Sequence, residues 1–93
     1  MSLLASSEGA ELSLLAFDGK WLVLEAPRAW APGSPMAIRV EFAGTPHMLD
    51  ARSLGSRRDA PGRFRVKLRL VSMRRDSRQA LLEALPATPP PRA

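Results

Sequence analysis

Residues 63–85 read RFRVKLRLVSMRRDSRQALLEAL, and a change of period inside this stretch decides the fold class. Phe64, Val66, Leu68 and Leu70 fall on one side; Arg63, Arg65, Lys67 and Arg69 fall on the other. Successive side chains of a strand point to opposite faces, so Arg63–Met73 is predicted as a strand with one buried and one wet face. After Met73 the period lengthens. Asp76 or Ser77 can cap a helix over about 77–85, a side-chain oxygen accepting from a free amide. Leu81, Leu82 and Leu85 form its apolar stripe, with Ala80 or Met73 at the edge. So short a helix is marginal by itself and must dock on a sheet. Pro86 ends it.

Working back from this stretch, shorter strands appear. ELSLLAF (11–17) and KWLVLE (20–25) flank Asp18-Gly19, a strong hairpin signal. Pro27, Gly33, Pro32 and Pro35 mark a loop, because proline cannot donate to a ladder. Met36, Ile38, Val40 and Phe42 alternate with Ala37, Arg39 and Glu41, and Gly44-Thr45-Pro46 turns the chain. His47–Leu54 is a fourth strand. Gly55 is expected to end it, with SRRDAPG (56–62) as a loop. Residues 1–10 read as a leader or a frayed first strand. Residues 11–85 read as one domain, and 86–93 as a proline-rich tail of polyproline II or disordered character. The expected fold is mainly β: a small antiparallel barrel of five to six strands with one C-terminal helix. Closure into a barrel removes exposed strand edges.

The chain of 93 residues is of single-domain size and can bury one modest core. It has no cysteine, which excludes a disulfide framework and thiolate metal sites. No apolar run approaches the roughly 20 residues of a membrane helix. MSLLASSEGAEL has no basic n-region, so a signal peptide is not expected and cytoplasmic residence is the default. The formal net charge is +5, unevenly placed: no Arg precedes Arg28, whereas Arg52–Arg78 holds ten Arg or Lys against Asp59 and Asp76. Such a cluster can attract nucleic acid, acidic proteins or anionic lipid. The Ala-, Arg-, Pro- and Leu-rich composition is also what a GC-rich coding genome yields, and the bland reading is a solvated arginine face.

The order of elements resembles the PilZ domain. AFDGKWLVLEAP supplies a glycine-bearing hairpin, APGSPMAIRVEF a proline-glycine turn into a strand, and HMLDARSLGSRRDAPG a strand and variable loop. RFRVKLRLVSMRRDSRQALLEAL supplies the strand running into a helix. The resemblance covers roughly 11–85 and rests on spacing, not on a diagnostic motif. It implies a bacterial signalling or adaptor module, in motility, pilus or polarity control, that docks on a protein partner. In that family an RxxxR arm and a [D/N]xSxxG motif usually hold cyclic di-GMP. Here the arm position holds no Arg, and Glu11, Ser13 and Ala16 are at most a remnant of the second motif. Ala16 stands where glycine would permit a close approach. Ordinary cyclic di-GMP binding is therefore not expected, nor is any cofactor. An alternative is a cyclic di-GMP receptor that recruits Arg28, or an arginine from a second chain in a homodimer.

No residues point to catalysis, and an enzyme is not expected. His47 is the sole histidine, without the partners of a zinc site, and reads as an ordinary turn or strand residue. Asp50 and Glu41 are placed to face each other across a hairpin. The glycines are isolated and fit no phosphate-binding loop. Trp21 reads as core, Trp30 as partly exposed in the proline loop and able to anchor a partner. The candidate partner-facing residues are Arg63, Arg65, Lys67 and Arg69, continued by Arg74 and Arg75, together with Trp30. A nucleic-acid surface over 52–78 is a further alternative. It lacks the interleaved aromatics that stack bases, because Phe64 points inward.

Overall fold

The computed structural model describes residues 3–87: β1 (Leu3–Ser7), β2 (Ala10–Phe17), β3 (Trp21–Ala26), β4 (Pro35–Phe42), β5 (Thr45–Ala60), β6 (Arg63–Met73) and helix α1 (Arg75–Ala84). The proline-rich tail beyond Ala87 lies outside the described residues. The strands form one closed antiparallel barrel in the order β1-β2-β3-β6-β5-β4. The expected class, a mainly β barrel with one helix near the C-terminus, is the observed one.

Alternation fills the interior. Leu12 and Leu14 on β2, Leu22 and Leu24 on β3, and Met36, Ile38 and Val40 on β4 all point inward. Leu49 on β5 and Val66 and Leu68 on β6 complete the core. Each such leucine or isoleucine removed from water contributes roughly 1.5–3 kcal/mol before the entropy of ordering it. The segment expected to be a leader or frayed strand contains β1, which pairs with β2 along its length. β1 also closes the barrel against β4 through Ala5↔Val40 and Ser6↔Arg39.

Two plugs seal the ends of the barrel. At one end, Leu81 of α1 and the following Leu85 enter the core. Polar contacts hold the helix there: the Arg78 Nε donates to the Gly19 carbonyl (3.1 Å) and the Phe17 amide donates to the Pro86 carbonyl (2.9 Å). Buried His47 Nδ1 and Ser77 Oγ are 2.7 Å apart. This corrects the expected cap. The helix begins two residues earlier than expected, Arg74 is the N-cap without a side-chain hydrogen bond, and the Ser77 hydroxyl bonds His47. Asp76 sits in the first turn beside Arg74 (3.3 Å), where its charge also suits the positive end of the helix.

At the opposite end Trp30 enters the barrel and is 5 % exposed. Serines 53 and 56 fasten its backbone. The Trp30 amide donates to Ser56 Oγ (2.9 Å), and the Ser53 and Ser56 hydroxyls donate to its carbonyl (3.0 and 3.2 Å). Trp30 is therefore a core residue, not the partly exposed anchor expected from its proline-rich loop. The loop closes over a barrel end instead of standing in solvent.

Gly55 does not end β5. It sits at φ +130°, where an L side chain is strained, beside a register shift between Ser53 and Gly55. The strand passes through this bulge and continues to Ala60, pairing with β6 down to Ala60↔Arg63. The residues read as a loop, 56–60, form the outer arm of a long hairpin whose turn is Pro61-Gly62. Their polar composition concealed this, because the arm extends past β4, which pairs with β5 only as far as Arg52.

Candidate interaction surface

The sheet formed by β3, β6 and β5 presents an outer face whose residues line up in three cross-strand rows. Trp21, Arg69 and Arg52 form the first row; Val23, Lys67 and Gly55 the second; Glu25, Arg65 and Arg57 the third. Neighbouring strands lie about 4.8 Å apart, and alternate residues on one strand about 7 Å apart. The rows therefore make a compact grid of cations with an apolar edge.

The grid exists because β3 inverts the expected role of its tryptophan. Leu22, Leu24 and Ala26 occupy the inward positions, so Trp21, Val23 and Glu25 are half-buried on the outside. Trp21 is not core. Its ring lies under two ammonium groups, with Lys20 Nζ 5.2 Å and Lys67 Nζ 5.7 Å from the centroid. At these distances the ring's negative faces attract the cations, by about 0.5–1 kcal/mol at an exposed site. The aromatic partner missing from the Arg63–Arg69 stretch is thus supplied by a different strand. Only the strand order, β3 beside β6, could have revealed it.

Below the first row lies a groove of about 500 Å³ lined by Trp21, Val23, Gly55, Arg57, Arg65 and Lys67. Gly55 lines it with backbone alone, and a Cβ at this position would meet Pro32 Cγ at 3.6 Å. Asp18, at the groove's edge, has its carboxylate turned to backbone. Its Oδ1 accepts from the Lys20 amide (2.9 Å) and the Trp21 amide (2.7 Å). The bonds from the Trp21 and Lys20 amides, aided by the Lys20 charge, hold its carboxyl below the usual aspartate range. This Asx-type turn sets Lys20 and Trp21 in place at the start of β3.

The sequence-derived candidates divide on this surface. Lys67 and Arg69 point into solvent from the centre of the grid. Arg65 is drawn down between two carboxylates, with Nη2 3.9 Å from both Glu25 and Asp59; Arg63 lies 3.8 Å from Glu25. Phe64 is half-buried. Arg74 and Arg75 do not continue the face: the chain leaves the sheet after Met73, and Arg74 lines a separate shallow groove with Met48, Asp50 and Ser72. Arg52 and Arg57 join the grid from β5, the arm read as partly loop.

The remaining candidates lie elsewhere. Arg28 is 4.0 Å from the Trp30 ring centroid and bonded to Glu8 (3.0 Å), joining the Trp30 loop to the β1–β2 turn. Glu11 and Ser13 line a groove on the β2–β3 side together with Glu25, while Ala16 is buried. Asp50 pairs in register with Ala37 and accepts from Ser72 Oγ (3.2 Å); Glu41 pairs with Pro46. The two carboxylates therefore do not face each other. His47 is buried against Ser77, with Phe42 beside it. Among the described residues, no group of three or more His, Cys, Asp or Glu is arranged to hold a metal ion, and no helix is long and apolar enough to cross a membrane.

Compared with protein-family models, curated proteins and solved structures, the chain matches none.

Proposed function

We propose that the chain is a degenerate PilZ-like domain acting as a non-enzymatic docking module, whose partner protein is received on the outer face of β3, β6 and β5. The carrying observation is the cation grid of Lys67, Arg69, Arg52 and Arg57 beside outward-facing Trp21. The barrel interior is filled by side chains and plugged at both ends by Trp30 and Leu81, so recognition falls to the outside. Aromatic and arginine side chains are also the types that most often dominate protein interfaces. The proposed setting is a cytoplasmic signalling or adaptor assembly in a bacterium, in motility, pilus or polarity regulation, as the family resemblance implies.

Two observations support a module that does not hold cyclic di-GMP in the ordinary way. Arg28, the arginine that the receptor alternative recruits, is engaged by Glu8 and Trp30. The groove at the motif remnant carries the carboxylates of Glu11 and Glu25 against one cation, Arg63, which itself lies 3.8 Å from Glu25. Isothermal titration tests this part: micromolar or tighter cyclic di-GMP binding overturns it. The docking face is tested with a photo-cross-linker at position 23, on the grid, or position 37, on β4. The face predicts a discrete partner trapped from position 23 and lost on joint Lys67→Glu and Arg69→Glu substitution. Equal trapping from both positions contradicts it.

A second reading, single-stranded nucleic acid, is favoured by one observation, the stacking-capable Trp21 beside the basic strand. It predicts affinity that falls steeply with salt. No mobility shift of a labelled oligonucleotide at low salt removes it.

A further inference from the structure

We infer that the ligand of this face is an extended acidic segment of a partner protein, with carboxylates at alternate positions and one apolar side chain seated in the groove over Gly55. The inference rests on the docking reading above and gives that partner its chemistry.

Charge comes first. Lys20, Arg57, Lys67 and Arg69 have no ion-pair partner within 4.0 Å among the described residues, although all four stand on or beside one face. The carboxylates nearby are committed elsewhere. Asp18 accepts two backbone amides, and Glu25 and Asp59 lie against Arg65. A surface with unneutralised cations around an apolar depression complements an acidic ligand with an apolar anchor.

Spacing comes next, and it selects the ligand's conformation. Lys67 and Arg69 are alternate residues of one strand, so their side chains leave the sheet about 7 Å apart. An extended peptide lying along β6 repeats at the same distance, which places acids at i and i+2 over Lys67 and Arg69. A helical ligand presents its same-face neighbours at i, i+3 and i+4, about 5–6 Å apart, and runs out of step with the grid. Arg52 and Arg57 flank the central cations from β5, and Lys20 does so from the β2–β3 turn.

The anchor position follows from the groove that Gly55 lines beside Trp21, Val23 and Lys67. The Gly55 row holds Val23 on β3 and Lys67 on β6. An apolar side chain entering there meets Val23 and Trp21 and the stem of Lys67, while the lysine head remains free to meet a carboxylate. The depression is thus apolar along β3, at Trp21 and Val23, with Ala87 also lining it, while Ser56, Arg57, Arg65 and Lys67 line the rest. β3 and β5 are paired on both sides along the grid's first row, whereas beyond Ser53 the outer side of β5 has no neighbouring strand among the described residues. β6 itself is paired on both sides over Arg65–Arg69, so a segment lying along it over Lys67 and Arg69 binds by side chains across the face.

The test uses the full chain carrying Trp30→Phe, which leaves Trp21 as the sole fluorophore. Four probes are titrated: a ten-residue peptide with alternating Glu around a central Leu, the same composition with the acids in one block, the alternating peptide with Gly for Leu, and a ten-nucleotide oligothymidylate. The alternating peptide is expected to change Trp21 emission and to bind at least about tenfold tighter than either altered peptide. Joint Lys67→Glu and Arg69→Glu substitution is expected to abolish the response, with an unchanged circular dichroism spectrum, and raised salt to weaken binding several-fold by screening. Equal binding of all three peptides overturns the inference, since the face then senses charge alone. Tighter binding of the oligothymidylate overturns it in favour of a nucleic-acid surface. Binding by none also overturns it, and the cross-linking result at position 23 then tells whether docking itself survives with a partner of other chemistry.

Discussion

Trp21 and Lys67 meet across β3 and β6, with the lysine ammonium 5.7 Å from the centroid of the indole ring. Neither residue serves the core. β3 keeps its leucines inside and turns the tryptophan outward, where Lys20 approaches it as well. A large apolar ring is thus kept half-covered by two long, charged side chains that a ligand can displace or share. Replacing Trp21 by Ala is expected to lower stability by only about 1 kcal/mol, the scale of lost cross-strand contacts. It should nevertheless weaken capture by the face at least about tenfold. Urea unfolding beside the peptide titration measures both.

Trp30 contrasts with Trp21. It plugs the barrel, so Trp30→Ala is expected to cost about 3–5 kcal/mol by opening a cavity. Its indole nitrogen has no hydrogen-bond partner, so Trp30→Phe removes no bond and should retain the fold. Ser56→Ala leaves the Trp30 amide without its acceptor and should cost about 1–2 kcal/mol. Urea denaturation midpoints of the three variants give the ranking.

The helix is held by one apolar knob and a few polar ties. Leu81→Ala should cost about 2–5 kcal/mol, and Ser77→Ala about 1–2 kcal/mol through the stranded His47 nitrogen. If the helix is a docked lid, Ser77→Ala raises hydrogen exchange in α1 more than in β2 or β3. Uniform acceleration through the whole barrel contradicts this.

Asp18 gives the β2–β3 turn a pH dependence of definite sign. Its carboxyl is held below the ordinary range by the Trp21 and Lys20 amides. The stabilisation is therefore present above the unfolded value, about pH 3.9, and is lost as pH falls through the lower folded value. Asp18→Asn keeps an acceptor oxygen but cannot titrate. The stability difference between the original chain and this variant should be constant near neutrality and change only below about pH 4, as read from denaturation midpoints across that range.

Much of the barrel was legible because β4 and β6 alternate and because Asp18-Gly19 and Gly44 carry turn chemistry. What escaped was set by long-range packing. Trp21 and Trp30 exchanged expected roles: within β3 either face could hold the large ring until its leucines were known to face inward, and a proline loop reads as exposed unless it covers a barrel mouth. The outer arm of β5 was hidden by its charges, since residues beyond the barrel wall need no apolar alternation. The basic strand itself was evident, but its partners Trp21, Arg52 and Arg57 lie on neighbouring strands. Ser77 looked like a cap from its position alone; its bond to His47, 30 residues away in sequence, is a tertiary contact.

The most direct test of the account is a two-dimensional amide NMR titration of the isotopically labelled chain with the alternating acidic peptide. The account predicts shifts concentrated at Lys20–Val23, Gly55–Arg57 and Arg65–Arg69, together with the Trp21 indole signal, and little change in β1, β4 or the Trp30 indole. Shifts centred on the Glu11–Ser13 groove or spread evenly over the arginines, with Trp21 unmoved, would contradict it.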